Sequence, residues 1–188
     1  MLHDPLTDPD CDVLSDPAVC ANDTLRCYYC KRALFTRLWQ AARADGYDVL
    51  CDGTNASDEA ADRPGMRALD ELEVLSPLRI CGLTKTDIRA LSKQAGLFTH
   101  DKPAYACLAT RVPTGTPITQ DALGRVERAE NALFALGFTD FRVRVLDDNR
   151  AKLQAPAAQL ARIIELREQI ISVLSSYFED ILLDLRAR

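Results

Sequence analysis

Between Lys31 and Asn55 the chain changes its apolar period once, and that change narrows the folds open to it. Leu34, Phe35, Leu38, Trp39 and Ala42 recur at helical spacing over Lys31–Ala44. Gly46 stops the helix, Tyr47–Cys51 is an apolar run of strand length, and Asp52-Gly53-Thr54-Asn55 follows at once. A strand that stops in a Gly/Thr/Asn turn is the usual setting for ligand contacts at the carboxyl edge of a parallel sheet. The alternation then continues. Arg67–Glu73 reads as helix, Val74–Ile80 contains a second strand around Pro77, and Thr84 caps a helix over Lys85–Gln94 that Gly96 stops. Strand and helix in alternation predict a parallel α/β sheet.

The Pro- and Thr-rich stretch Val112-Pro113-Thr114-Gly115-Thr116-Pro117 marks a boundary, so residues 1–112 and 113–188 are expected as two domains. Past it, Thr119 caps a helix from Gln120 to Leu136, ended by Gly137. Phe141–Val145 alternates apolar and basic and pairs with Ala151–Ala155 as a hairpin across Asp147-Asp148-Asn149. Pro156 starts a helix to about Ser175, and Asp180–Leu185 closes as a strand. The order α-β-β-α-β suits a small α+β domain. Residues 1–25, rich in Asp and Pro, read as loop. Residues 56–66 are small, acidic and polar, with Arg63-Pro64-Gly65 as a turn.

The chain has 188 residues, 47% of them hydrophobic and 27% charged, enough to bury a core in one or two small domains. Its net charge of −5 argues against a general nucleic-acid coat, which needs a basic excess. The start, Met1-Leu2-His3-Asp4-Pro5, has neither the basic nor the apolar region of a secretory signal. No stretch reaches the ~18 apolar residues of a membrane span. A cytoplasmic location is expected.

Seven cysteines in such a compartment do not suggest a disulfide framework. Cys51 and Cys81 lie in apolar stretches and are expected as small core residues. Cys11 and Cys20 lie in the polar leader. Cys27 and Cys30 form a CxxC in Arg26-Cys27-Tyr28-Tyr29-Cys30-Lys31, on what reads as a short turn. That pair could be a redox couple, half a zinc knuckle, part of an iron–sulfur site, or simply structural. A second CxxC or a His pair would favour zinc, but only His3 and His100 exist, neither suitably spaced. Cys107 follows Lys102-Pro103 and precedes Arg111; positive charge there would favour its thiolate, and an inert loop thiol is the plain alternative. Two thiols on a turn with a third from far along the chain leave a metal centre one protein ligand short of four. Arg142 and Arg144 share a strand face and can form a fork for phosphate or carboxylate, or merely a solvated face.

Taken in order, these segments resemble the LarE family of ATP-dependent sulfur transferases, within the PP-loop pyrophosphatase group. The matching segments are Arg26-Cys27-Tyr28-Tyr29-Cys30-Lys31, Asp52-Gly53-Thr54-Asn55, Arg63-Pro64-Gly65, Leu83-Thr84-Lys85, Lys102-Pro103, Cys107-Leu108-Ala109-Thr110-Arg111, Gly115-Thr116-Pro117-Ile118-Thr119 and Arg142-Val143-Arg144. Each is weak alone, but their order is specific. The resemblance implies an incomplete Rossmann-like PP-loop domain (adenine nucleotide alpha hydrolase-like) followed by the small α+β domain. It implies that Mg-ATP adenylates a carboxylate of a pyridinium dicarboxylate mononucleotide. Sulfur then displaces AMP to give a thiocarboxylate, on the way to a nickel-pincer nucleotide.

Two sulfur sources are known in the family. One sacrifices the cysteine matching Cys107; the other passes on sulfide from a [4Fe–4S] cluster held by three cysteines. Cys27, Cys30 and Cys107 match the second version, with Cys107 as the catalytic position. The resemblance further places Asp52, Gly53, Thr54 and Asn55 at the nucleotide, and Arg111, Arg142 and Arg144 at the substrate. The family often forms hexamers, so a homo-oligomer is expected.

Two departures stand out. No Ser-Gly-Gly-x-Asp-Ser loop is present, since Gly46 is the first glycine. Without those phosphate-cradling amides this chain is not expected to bind or split ATP alone; a PP-loop segment upstream or on a separate chain would be its partner. Gln154 stands where the family often has an acidic residue. A tRNA-thiolating relative and a non-catalytic metal-binding partner or remnant are the competing expectations.

Overall fold

The computed structural model describes residues 9–58, 63–147 and 149–186; the sequence expectations for residues 1–8, for residues 59–62 and for Asp148 lie outside them. The chain divides into two compact units, Met1–Lys102 and Pro103–Arg188. The described residues mix helices with a small sheet, an α/β composition. Among them, no helix is long and apolar enough to cross a membrane.

The first unit is built mainly of helices. The segment expected as loop carries a short 3-10 turn, Val13–Ser15, and α1, Pro17–Cys20. The side chains of Asp12 and Asp16 accept hydrogen bonds from the backbone N–H groups of Leu14 and Ala18, so the Asp/Pro composition caps helical turns instead of preventing them. The helix expected from Lys31 starts earlier: α2 runs Arg26–Ala44. It takes both CxxC thiols into its opening turns, where a turn had been expected. The helix α3, Pro64–Glu71, packs on α2. Trp39 Nε1 donates to the Leu72 carbonyl at 2.8 Å, and the Tyr28 hydroxyl donates to Glu71 at 2.6 Å.

The two expected strands of this unit shrink to one isolated parallel bridge, Cys51 with Leu75. It is framed by Asp52 N–H to the Leu75 carbonyl at 2.8 Å and Leu75 N–H to the Leu50 carbonyl at 2.9 Å. Pro77 has no N–H to extend the ladder, and its fixed φ starts α4, Pro77–Ile80, where strand had been expected. Cys51 and Cys81, expected in the core, are both exposed. The helix α5, Lys85–Gln94, has the capping box that its sequence predicts. Thr84 accepts from the Asp87 N–H, and Asp87 accepts from the Thr84 N–H.

The second unit holds the sheet. The helix α6, Gln120–Ala135, is capped by Thr119 and ends before Gly137, whose φ is +80°. Strand β1, Arg142–Val145, pairs antiparallel with β2, Arg150–Gln154, with Arg142 opposite Gln154 and Arg144 opposite Lys152. Strand β3, Asp180–Leu183, joins β2 in parallel. The single helix expected after Pro156 is two, α7 (Ala157–Glu165) and α8 (Arg167–Leu174), meeting at Leu166. Neither Gly nor Pro marks that junction. Val126, Ala129 and Leu133 of α6 and Val143, Val145, Ala151 and Leu153 of the hairpin are buried, as period-3.6 and period-2 patterns require. The unit begins ahead of the Pro/Thr-rich boundary because residues 105–111 are tied to α6 and β1 by side chains described next.

Candidate functional site

In the first unit, Cys27 and Cys30 are three residues apart on α2, the spacing at which helical side chains become neighbours. Neither is in a disulfide, and Cys27 is exposed. Arg26 Nη2 lies 3.5 Å from the Cys27 Sγ, and Arg26 Nη1 donates to the buried Asn22 side chain at 2.6 Å. A cavity of about 290 Å³ opens beside Cys27, lined also by Lys31, Thr54, Asp58, Arg63 and Gly65. Gly65 is buried; a Cβ there would meet Lys31 Cδ at 3.1 Å, so its missing side chain lets Lys31 pass along the wall.

Thr54 of the expected nucleotide turn lines the same cavity. Asp52 accepts from Thr54 N–H at 3.1 Å, from Ser76 Oγ at 2.7 Å, and from the Thr54 hydroxyl. Partial burial pushes the Asp52 carboxyl up. The Thr54 and Ser76 hydrogen bonds, with Lys31 nearby, more than offset that and hold it below the usual carboxylate range. Asn55 accepts from Ser57 N–H at 3.0 Å, an Asx turn. The side chains of Asp52 and Asn55 thus shape the turn, Gly53 is exposed, and Thr54 is the one of the four at the cavity.

In the second unit, Cys107 is exposed and precedes a 3-10 turn, Leu108–Arg111. Arg111, expected at the substrate, points inward and is 1% exposed. Its Nε and Nη2 donate to the two carboxylate oxygens of Glu130 at 2.8 and 3.0 Å. Its Nη1 donates to the carbonyls of Ala106 at 3.1 Å and Cys107 at 3.4 Å, and to Thr110 Oγ1 at 3.0 Å. Glu130, 0% exposed, also accepts from the Val143 N–H at 2.9 Å and the Tyr105 hydroxyl at 2.7 Å. Desolvation, reinforced by the Glu130 carboxylate, pushes the Tyr105 phenol up to about 12. The charge that the sequence sets near Cys107 is therefore met by an opposite charge in the core.

Arg142 and Arg144 occupy the half-buried face of β1, as the alternation requires. Arg144 Nη1 donates to the Thr110 carbonyl at 2.8 Å, placing this fork beside the Cys107 turn, and its Nε donates to the Gln154 side chain. Gln154 Nε2 donates to Asp184 at 2.8 Å, and Lys152 pairs with Asp184 at 3.1 Å. The Gln154 amide first, then the Arg186 N–H and Lys152, hold the Asp184 carboxyl at about 2. A depressed carboxyl favours the folded state above its ordinary value near ~3.9, and that contribution is lost as pH falls toward the folded value. Gln154→Glu is expected to raise the Asp184 midpoint in a carbon-13 NMR titration, since it replaces a donor by a like charge. An unmoved midpoint would show that the amide does not hold Asp184.

The first unit thus brings Cys27 and Thr54 to one cavity, with Cys30 one helical turn from Cys27, and the second gathers Cys107, Arg111 and Arg144. Among the described residues, no three His, Cys, Asp or Glu side chains converge for a metal ion; Cys27 and Cys30 belong to one unit and Cys107 to the other. Sequence reasoning missed Glu130. Its signal was present: it stands four residues after Val126 and three before Leu133, an acid on the apolar stripe of α6. Asp184 had no comparable signal.

No family model matches the chain. It is 34% identical over 175 residues to pyridinium-3,5-bisthiocarboxylic acid mononucleotide synthase of Lactiplantibacillus plantarum, covering 93% of this chain and 63% of that protein. It is 38% identical over 152 residues to an uncharacterized protein of Synechocystis, covering 81% of this chain and 56% of that protein. A third relative, an uncharacterized protein of Methanocaldococcus jannaschii, is 32% identical over 152 residues, 81% of this chain and 59% of its own length. The chain spans about three-fifths of the length of these relatives. With the synthase matched along nearly all of it, the chain belongs to the LarE family.

Proposed function

We propose that this chain is the sulfur-handling and substrate-binding part of an ATP-dependent sulfur transferase. It would thiolate the carboxylates of pyridinium-3,5-dicarboxylate mononucleotide for nickel-pincer cofactor synthesis in the cytoplasm. The observation that carries the proposal is the identity to the synthase over 93% of the chain. The first unit, with its parallel bridge ending at Asp52, is taken as part of a Rossmann-like PP-loop domain. A carboxylate is a poor electrophile, so one of its oxygens must first attack the α-phosphorus of Mg-ATP, releasing pyrophosphate. Sulfide then attacks the acyl carbon and AMP leaves with the bonding pair.

A [4Fe–4S] cluster, when bound, would supply that sulfide. Cys27, Cys30 and Cys107 are thiols outside any disulfide, two of them one helical turn apart, and thiolates are the ligands such a cluster takes. Around Cys27, the cavity wall carries Lys31 together with Arg63 paired to Asp58 at 3.4 Å, which leaves a net positive charge suited to anions. The turn Asp52–Asn55 would line the nucleotide mainly through its backbone and Thr54. Arg142 and Arg144 would seat the substrate phosphate, since a guanidinium pairs with phosphate oxygens by charge-assisted bonds. The link from Arg144 to Thr110 would keep that phosphate next to Cys107.

Arg144→Ala is expected to keep the cluster and lose mononucleotide affinity by ~10–100-fold, the value of one hydrogen-bonded charge of ~1.5–3 kcal/mol. Calorimetric titration of the full chain checks this. Affinity equal to the parent's would remove the phosphate role, and a parent that binds no mononucleotide would remove the proposal.

A further inference from the structure

The Arg111–Glu130 pair is the most buried charge in the described molecule, and nothing in the sulfur-transfer scheme uses it directly. We infer that it is a positioning device for Cys107: Glu130 fixes Arg111, and Arg111 holds the backbone on which the Cys107 thiol is displayed. This rests on the reading above that Cys107 carries sulfur chemistry. Arg111 then serves the substrate through Cys107 and not by contact.

The geometry argues this from both sides of the thiol. Ahead of it, the Tyr105 hydroxyl bonds Glu130, and Arg111 Nη1 holds the Ala106 carbonyl. At it and behind it, the Cys107 carbonyl accepts from Arg111 Nη1, from Thr110 N–H at 3.0 Å and from the Thr110 hydroxyl at 2.7 Å. Arg144 holds the Thr110 carbonyl. The backbone of this turn is thus anchored to α6 and β1, while the Cys107 side chain stays exposed. A purely structural role explains less. A buried ion pair adds little net stability over an apolar pair of similar volume, because desolvation consumes most of the Coulomb gain. An apolar pair could pack α6 equally well but could not grip two successive carbonyls. A planar guanidinium can, since two of its nitrogens face Glu130 while the third reaches the loop.

Arg111→Lys separates the two roles. It keeps a charge facing Glu130 but has no second arm for the carbonyls of Ala106 and Cys107. In the full chain, the variant is expected to unfold near the parent. The Thr110 and Val112 amides should exchange at least ~10-fold faster, the effect of losing even one hydrogen bond from a charged donor. Cys107, followed by mass-resolved iodoacetamide alkylation against Cys27 in the same chain, should move to the rate of a free peptide spanning residues 103–112. Should the lysine variant not fold, Arg111→Met with Glu130→Leu removes both charges and makes the same decision. A folded variant whose exchange and alkylation match the parent's overturns the inference, as does a parent thiol already reacting at the peptide's rate. Neither measurement needs iron, nucleotide or acceptor. A parent that never takes up iron would therefore sink the cluster reading while leaving this result intact.

Discussion

Cys107→Ala is expected to emerge from anaerobic reconstitution colourless. Iron and acid-labile sulfide should fall from about four of each per chain in the parent to near none. Three thiolates are the minimum protein set for a cubane that keeps one iron open, and Cys27 and Cys30 alone cannot hold it. Cys27→Ala and Cys30→Ala should give the same loss. The exposure of Cys27 and Cys107 and the absence of disulfides leave these sulfurs available for it. A Cys107→Ala protein that keeps its iron would place the third ligand elsewhere. A parent with no iron would return the choice to sacrifice of the Cys107 sulfur itself, which needs no cluster.

Glu130→Ala is expected to cost the second unit about 3–5 kcal/mol, read from the urea midpoint of its unfolding. The loss is not that of one salt bridge. It leaves Arg111, 1% exposed, with an uncompensated charge, and strips the Val143 N–H and the Tyr105 hydroxyl of their acceptor. A typical domain has only ~5–15 kcal/mol to lose, so part of the population should be unfolded at ambient temperature. Replacing both partners by apolar residues should restore most of this stability, which a single-interaction account would not predict. A cost of Glu130→Ala below about 1 kcal/mol would mean that water reaches Arg111 and the pair is not truly buried.

The helices were legible wherever local chemistry specifies them. Thr84 with Asp87, and Thr119 before a periodic run closed by Gly137, mark α5 and α6 within a residue or two. The hairpin was legible because basic and apolar residues alternate through β1. The strands of the first unit were read correctly as apolar but wrongly as ladders. Apolar runs say that residues can be buried, not that hydrogen-bonding partners extend beside them, and Pro77 ends the pairing that Leu75 begins. For the site, residue type was legible and direction was not. Arg111, Arg142 and Arg144 look alike in sequence. Only packing turns Arg111 inward to Glu130, because the carboxylate it meets lies nineteen residues away on another element.

The chain Thr110–Arg144–Gln154–Asp184 runs from the Cys107 turn across β1 and β2 to the residue that follows β3. An acid at position 154 would take Arg144 for itself and repel Asp184, while an amide needs Asp184 as its acceptor. Positions 154 and 184 should therefore covary as a pair through evolution. Relatives with Glu or Asp at the first should carry a neutral residue at the second, so that neither site can drift alone.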